Sequence, residues 1–208
     1  MRQSKPDSGR NNLMKAIIPA AGYGTRFLPA TKAVPKEMLP IGNKPALQWL
    51  VEEALSAGAD EVIIVTSPGK NSIRKYFTPD PTLTQLVRAK PVIRDELEKL
   101  DALSAKVTFV DQLEQAGLGH AVLQAAARLG PEDASFLLLL GDALVSGQAC
   151  CSRELMQVSS ARGHASVIGL ERVPAARVSH YGIIAGTPHA DDKRVWRISD
   201  VVEKPDPE

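Results

Sequence analysis

The stretch Lys15–Pro40 places the strongest constraint on what this chain can fold into. It opens with the apolar run Lys15–Pro19, which gives way to the small-residue turn Ala20–Thr25. This pattern predicts a buried strand ending in a turn, at the edge where open α/β sheets bind their ligands. Gly22 and Gly24 allow a ligand to approach the backbone closely. Successive backbone N–H groups in such a turn favour an anion.

Positive charge follows the turn, with no acidic residue between Ser8 and Lys36. The cations of this segment are Arg26, Lys32 and Lys36. The Walker phosphate loop is excluded because its Gly-x-x-x-x-Gly-Lys-Ser/Thr spacing does not occur. A dinucleotide fingerprint fits poorly, because Phe27 stands at the third glycine position and Pro29 interrupts the helix that should follow. An ordinary strand-to-loop turn explains two glycines but not the neighbouring cations and prolines. We therefore predict a polyphosphate site.

The rest of the chain alternates between helical and strand patterns, which predicts a layered α/β sandwich with a mostly parallel central sheet. Glu61–Thr66 is a continuous β-branched run, typical of a parallel strand covered on both faces. A helix is predicted from Pro45 to a stop at Gly58. Further helices are predicted over 70–77, 82–105 with a break at Pro91, 121–129 and 152–163. Further strands are predicted over 107–110, 136–140 (buried), 165–171, 181–185 and 195–202.

Bulk composition excludes several classes of protein. The formal net charge of +1 provides no overall field for binding nucleic acid or an anionic membrane. Cys150 and Cys151 are adjacent, a poor geometry for a structural disulfide, which fits a reducing cytoplasm. No apolar run approaches the roughly 18–20 residues that span a bilayer. Residues 1–13 are polar and lack a signal-peptide core, so we predict a flexible tail followed by one domain over 14–208.

The central stretch also resembles a known family. Gly-Tyr-Gly-Thr-Arg-Phe-Leu-Pro-Ala-Thr-Lys (22–32) and Pro-Lys-Glu-Met-Leu-Pro (35–40) are similar to the signature of sugar-nucleotide pyrophosphorylases. The closest branch is the bacterial UTP–glucose-1-phosphate uridylyltransferases. Thymidylyltransferases typically read Ala-Gly-Gly at the turn and Lys-Gln-Leu-Leu-Pro later, whereas this chain has Ala-Ala-Gly and Lys-Glu-Met-Leu-Pro. The resemblance implies the Rossmann-like nucleotide-diphospho-sugar transferase fold, truncated here at its carboxyl end.

The resemblance also implies roles for individual residues. Catalytic roles fall to Arg26, Lys36 and Asp142, with Asp142 also the metal ligand for Mg²⁺. Nucleotide binding falls to Ala20, Ala21, Gly22, Gly24, Thr25, Glu37, Gln112, Gly117 and His120. Binding of the sugar phosphate falls to Gly182, Glu203 and Lys204.

Several of these residue types suit their implied roles chemically. The Gln112 amide offers both the donor and the acceptor that the imide edge of uracil requires. The alternative is an ordinary surface glutamine with no binding role. Asp142 follows an apolar strand, where a carboxylate needs water, a cation or a hydrogen-bond donor. The alternative is that Asp142 caps a helix. Gly141 departs from the proline that the uridylyl branch usually carries before this aspartate. Glu203 can accept hydrogen bonds from sugar hydroxyls, and Lys204 can bind a phosphate. The alternative is that the two residues form a solvent-exposed ion pair.

The implied reaction joins UTP and glucose 1-phosphate into UDP-glucose and pyrophosphate, by in-line attack of the sugar phosphate on the α-phosphate. The family continues beyond the equivalent of residue 208 with a second metal-binding aspartate and oligomer-forming helices. We therefore expect UTP binding with weak turnover, and an oligomer only in full-length relatives. The alternatives are a non-catalytic UTP-binding or regulatory relative, a thymidylyltransferase acting on glucose 1-phosphate, and a nicotinamide-dependent oxidoreductase.

Overall fold

The computed structural model describes residues 14–131, 133, 135–145, 147 and 150–206, so the predicted tail over 1–13 lies outside the described residues. The chain divides into two compact units, the first ending at Met156 and the second beginning at Gln157. The strands are β1 Lys15–Pro19, β2 Pro40–Ile41, β3 Lys44–Pro45, β4 Glu61–Thr66, β5 Val107–Asp111, β6 Phe136–Leu138, β7 Gly182–Pro188 and β8 Trp196–Glu203. The helices are α1 Ala46–Ala57, α2 Asn71–Tyr76, α3 Pro81–Leu86, α4 Pro91–Ser104, α5 Leu118–Ala126 and α6 Cys151–Ala161.

A four-stranded parallel sheet forms the centre of the first unit, in the order β5-β4-β1-β6. β1 and β4 are the inner strands, and Ile17, Ile18, Ile63 and Ile64 are fully buried. Apolar residues at consecutive positions, rather than at alternate ones, are what a strand covered on both faces requires. The predicted α/β class with a parallel central sheet is confirmed.

Helices cover the two faces of this sheet. On one face α1 contributes Leu47, Leu50 and Val51 to the core, and it ends at Gly58, whose φ of 109° suits glycine. On the other face α5 contributes Ala121 and Ala125, together with Ile17, Ile63 and Val65 of the sheet. Because all four strands are parallel, their carboxyl ends meet at one edge of the sheet.

Three sequence predictions are wrong in their details. The strand predicted over 136–140 ends at Leu138, and only its central residue Leu137 is buried, because within the described chain it pairs only with β1 and so forms an edge. The helix predicted to begin at Ala121 begins at Leu118, since Gly117 provides the preceding turn. Residues 165–171 belong to no helix or strand. A β-branched segment forms a strand only where a neighbour takes up its hydrogen bonds.

The second unit is built on the antiparallel hairpin of β7 and β8. The register shifts between Ala185 and Gly186, and a Cβ on Gly186 would clash with the backbone oxygen of Arg197. Only glycine allows the two backbones to approach this closely. In the described part of the chain, no helix is long and apolar enough to cross a membrane.

Candidate active site

The loop that follows β1 is folded by three short 3-10 turns, Thr25–Phe27, Ala30–Lys32 and Lys36–Met38. We call residues 20–39 the signature loop. Its first turn follows Gly24, which has a φ of 66°. The Gly24 carbonyl accepts a hydrogen bond from Thr31 Oγ1 at 2.8 Å. A Cβ on Gly24 would lie 3.2 Å from Lys36 Cβ, so this glycine allows the beginning and the end of the loop to pack together.

The three predicted catalytic residues lie together at the carboxyl edge of the sheet. Lys36 Nζ donates to Asp142 Oδ2 at 3.1 Å, and Arg26 Nη2 lies 3.6 Å from the same oxygen. The Lys36 side chain is only 19% exposed, whereas that of Arg26 is 86% exposed and that of Asp142 is 45% exposed. Asp142 lies in the turn after β6 and does not cap a helix. Two cations and a carboxylate, all reachable from solvent, can accept a polyphosphate together with its counter-ion.

The small residues of the turn after β1 differ in how far they face solvent. The side chains of Ala20 and Ala21 are buried, so a ligand could reach these residues only through their backbone. The Ala20 N–H donates to the Val65 carbonyl at 2.7 Å, which ties the start of the signature loop to β4. A Cβ on Gly22 would meet nothing within 4 Å, so space is open beside this residue. Thr25 begins the first 3-10 turn.

Gln112, Gly117 and His120 form a second cluster between β5 and α5. The Gln112 side chain is buried, which removes the surface-glutamine alternative. Its Nε2 donates to the Gly117 carbonyl at 3.3 Å and lies 3.0 Å from His120 Nδ1. Gly117 has a φ of 93°, which favours glycine. On the other side of the ring, Gln124 Nε2 lies 3.0 Å from His120 Nε2, so an amide group adjoins each ring nitrogen.

Glu37 is predicted to bind the nucleotide, but a ligand could reach this residue only through its backbone. Its side chain is fully buried beneath the signature loop, and its Oε2 accepts from Lys70 Nζ at 2.9 Å. Lys70 Nζ also donates to the Ala20 carbonyl at 2.7 Å. Burial lowers the pKa of Lys70, while the Glu37 carboxylate acts in the opposite direction. The sequence offered no signal for this pair, because an isolated lysine is ordinarily solvated.

The residues predicted to bind the sugar phosphate lie together within the second unit. Gly182 and Glu203 face each other across β7 and β8, and a Cβ on Gly182 would lie 3.1 Å from Glu203 Oε2. Lys204 follows β8 with a φ of 49°, and its N–H donates to the Tyr181 carbonyl at 3.0 Å. Its Nζ lies 3.5 Å from Glu203 Oε1. The hairpin thus presents a carboxylate and an ammonium side by side.

The residues after β6 offer a magnesium ion one carboxylate, that of Asp142. Among the residues that the structure describes, no group of three or more His, Cys, Asp or Glu converges as a metal cage. Mg²⁺ does not need one, since it commonly binds through one or two carboxylates and completes its shell with waters and substrate phosphates. The half-exposed Asp142 carboxylate, beside two cations that attract phosphate, fits that mode of binding.

The nucleotidyl transferase family model matches residues 15–208. The chain belongs to the nucleotidyl transferase family. It is 45% identical over 195 residues to the UTP–glucose-1-phosphate uridylyltransferase of Staphylococcus haemolyticus, covering 93% of this chain and 66% of that protein. Two solved structures share the fold closely. An apo UDP-glucose pyrophosphorylase has a TM-score of 0.83 at 35% identity, with 93% of this chain and 70% of that chain covered.

The second solved structure is a UTP-bound UGPase from Acinetobacter baumannii. It has a TM-score of 0.82 at 34% identity, with 93% of this chain and 68% of that chain covered. This nucleotidyl transferase chain therefore spans about two thirds of the length of the curated relative and of the two solved structures.

Proposed function

We propose that this nucleotidyl transferase chain carries the UTP site of a UTP–glucose-1-phosphate uridylyltransferase. The reaction joins UTP and glucose 1-phosphate to give UDP-glucose and pyrophosphate. The observation that carries the proposal is the convergence of Arg26 and Lys36 on the Asp142 carboxylate. Further support comes from the relative named for this activity and the similar structure described as UTP-bound.

The chemistry asks these residues for alignment and charge neutralisation, not for a general base. The sugar phosphate is already an anion, and it attacks the α-phosphate of UTP while pyrophosphate leaves from the opposite side. In the proposal Arg26, whose side chain is exposed, braces the triphosphate and the leaving pyrophosphate. Lys36, held in place and mostly buried, stabilises the charge that builds up on the α-phosphate.

Asp142 is the proposed metal ligand, and the donors around it suit Mg²⁺. When bound, the ion would neutralise phosphate charge and help fix the geometry of in-line attack. Lys36 and Arg26 now share the Asp142 carboxylate. A triphosphate would provide both cations with alternative partners, which would leave this carboxylate free for the metal.

The remaining predicted residues divide between the base and the sugar. We propose that Gln112, Gly117 and His120 read the uracil, because the three residues lie together at the start of α5 and Gly117 leaves that start open. In the second unit, Glu203 would accept hydrogen bonds from sugar hydroxyls, and Lys204 would hold the sugar phosphate. Gly182 would leave room for the ring. A cytoplasmic location, the absence of nucleic-acid partners and the oligomeric state stay predictions.

Nucleotide preference is the first test. Calorimetric titration of the chain with UTP, dTTP and CTP, each with Mg²⁺, should give the tightest binding for UTP. dTTP carries an extra methyl and lacks a hydroxyl, and CTP presents an amine where uracil has a carbonyl. Equal or tighter binding of dTTP would instead favour the thymidylyltransferase alternative. Binding of NADH but of no triphosphate would favour an oxidoreductase, which the 3-10 turns of the signature loop already argue against.

Turnover is the second test. The described residues offer one carboxylate at the proposed metal position, and a fixed octahedral frame for catalysis is better served by two. We expect the 208-residue chain to bind UTP with Mg²⁺ yet release pyrophosphate at well below about 1 per second, the lower end of ordinary enzymatic rates. The assay follows pyrophosphate with UTP, Mg²⁺ and glucose 1-phosphate. A rate in the ordinary range would show that Asp142 suffices as the protein's carboxylate.

A further inference from the structure

A buried ion pair lies directly beneath the proposed phosphate site. Glu37 belongs to the 3-10 turn Lys36–Met38 and is therefore the immediate neighbour of Lys36. Its carboxylate is fully buried and is held by Lys70, whose side chain is 10% exposed. A charge this deeply buried is retained only when it is paired and hydrogen-bonded.

Lys70 connects three parts of the first unit. Its ammonium donates to Glu37 Oε2 at 2.9 Å and to the Ala20 carbonyl at 2.7 Å, and it stands directly before α2. Ala20 is itself tied to β4 through the Val65 carbonyl. The beginning and the end of the signature loop are thus fastened to the sheet edge through one side chain.

Glu37 also packs against the segment that carries Asp142. A Cβ on Gly141 would lie 3.4 Å from Glu37 Cγ and 3.1 Å from the Pro19 carbonyl oxygen, so Gly141 and Glu37 fit tightly against each other. The second carboxylate oxygen, Oε1, has no hydrogen-bond partner among the described residues. Glu37 therefore adjoins Lys36 in the chain and leaves no room for a larger residue next to Asp142.

We infer that Glu37 and Lys70 are positioning residues, which set the distance between Lys36 and Asp142 and so the affinity of the site for a nucleotide triphosphate. Neither side chain touches the nucleotide, and both act through Lys36. This inference rests on the proposed function, and it assigns Lys70 a role for which its sequence context gave no indication. It also replaces the direct nucleotide contact predicted for Glu37.

A double-mutant cycle tests the inference, because residues that act through one another give non-additive effects. The variants are Glu37→Gln, Lys36→Met and the combination, and the measurement is the Kd for UTP with Mg²⁺ by calorimetry. Glu37→Gln alone should weaken UTP binding about tenfold, within the range that coupled neighbours show. In the Lys36→Met background the same substitution should leave the Kd unchanged, because the residue through which Glu37 acts is gone.

Asp133→Asn is the matched control. It disrupts another buried ion pair of the first unit, between Asp133 Oδ2 and Lys15 Nζ at 2.9 Å, with Lys15 at the opposite end of β1 from the signature loop. It should lower stability and leave the Kd for UTP unchanged. If Asp133→Asn weakens UTP binding as much as Glu37→Gln does, or if the Glu37 and Lys36 effects add, the positioning role is wrong.

A second variant covers the case in which Glu37→Gln does not fold. Glu37→Gln combined with Lys70→Met removes both charges and keeps the interior neutral, so it should fold and still bind UTP about tenfold more weakly. Wild-type affinity in this neutral variant would overturn the inference while the proposed function stands. A folded wild-type chain that binds no UTP would instead overturn the proposed function, and the inference with it.

Discussion

At the scale of a single residue, two separate features of the structure require glycine at position 24. Its φ of 66° lies in the left-handed region, which costs an L-residue roughly 1–2 kcal/mol. It also leaves room for Lys36 Cβ and Thr31 Cγ2, each of which would lie 3.2 Å from an added Cβ. The first demand concerns only the backbone, whereas the second places Lys36.

Gly42 makes it possible to separate these demands experimentally. It has a φ of 68°, and an added Cβ there would meet nothing within 4 Å. Gly42→Ala should lower the free energy of unfolding by about 1 kcal/mol, and Gly24→Ala by more, because its Cβ also crowds Lys36 and Thr31. Only Gly24→Ala should also weaken UTP binding, because it displaces Lys36. Urea unfolding and calorimetry measure the two quantities, and equal UTP affinity in both variants would contradict the role of Gly24 in placing Lys36.

Helix α6 illustrates, at the scale of one element, how a helix is started by a side chain from elsewhere in the fold. The backbone N–H and the hydroxyl of Ser152 both donate to Glu53 Oε1 of α1, at 3.2 and 2.6 Å. The first N–H groups of a helix have no partner within the helix, so this distant carboxylate satisfies one of them. The sequence predicted a helix here but gave no sign of the carboxylate that fixes its start.

Glu53→Ala tests this contact. We expect the free energy of unfolding to fall by about 1–2 kcal/mol, the usual cost of losing a helix-capping hydrogen bond. Urea unfolding followed by circular dichroism gives the value. Glu96→Ala is the control, since Glu96 pairs on the surface with Lys99 and should leave stability unchanged. Equal loss in the two variants would show that Glu53 contributes no more than a surface charge.

At the scale of the first unit, the two ends of β1 have different functions. The carboxyl end leads into the signature loop, while Lys15 at the amino end forms an ion pair with the fully buried Asp133 carboxylate. The Gly130 N–H and then Lys15 hold the pKa of Asp133 below its usual value of 3.8. A depressed carboxyl pKa adds stability that is fully present above the unfolded value of about 3.8 and is lost as the pH falls through the folded value.

Asp133→Asn should therefore cost stability in a pH-dependent way. At pH 7 the variant should be less stable than the wild type by about 3 kcal/mol, as expected when a buried ion pair loses one partner. Below pH 3.8 this difference should shrink, because the wild-type carboxylate itself becomes protonated. Urea unfolding at a series of pH values measures the difference, and a constant difference from pH 7 to pH 2 would contradict the assignment. Asp95→Asn, which removes an exposed surface pair with Arg94, is the control and should leave stability unchanged.

Sequence periodicity was sufficient to predict those helices and strands of the first unit whose residue pattern follows from local burial. The strand Glu61–Thr66 has the bounds that its β-branched run predicts, and the helix ends at Gly58 as expected. Residues 165–171 also include apolar and β-branched side chains, Val167 and Ile168 among them, but form no strand. The difference is physical: strand formation depends on a neighbouring strand, and no local pattern specifies that neighbour.

For the candidate site, the sequence by itself determined which residue types are present: a glycine turn, two cations and one carboxylate after an apolar strand. Only the tertiary structure decided that Arg26 and Lys36 meet Asp142, more than 100 positions away in the chain, at the shared carboxyl edge of parallel strands. The tertiary structure also decided that Glu37 faces inward. A carboxylate next to a catalytic cation reads as a ligand contact in sequence, but Lys70, brought in from another segment, stabilises it in the interior.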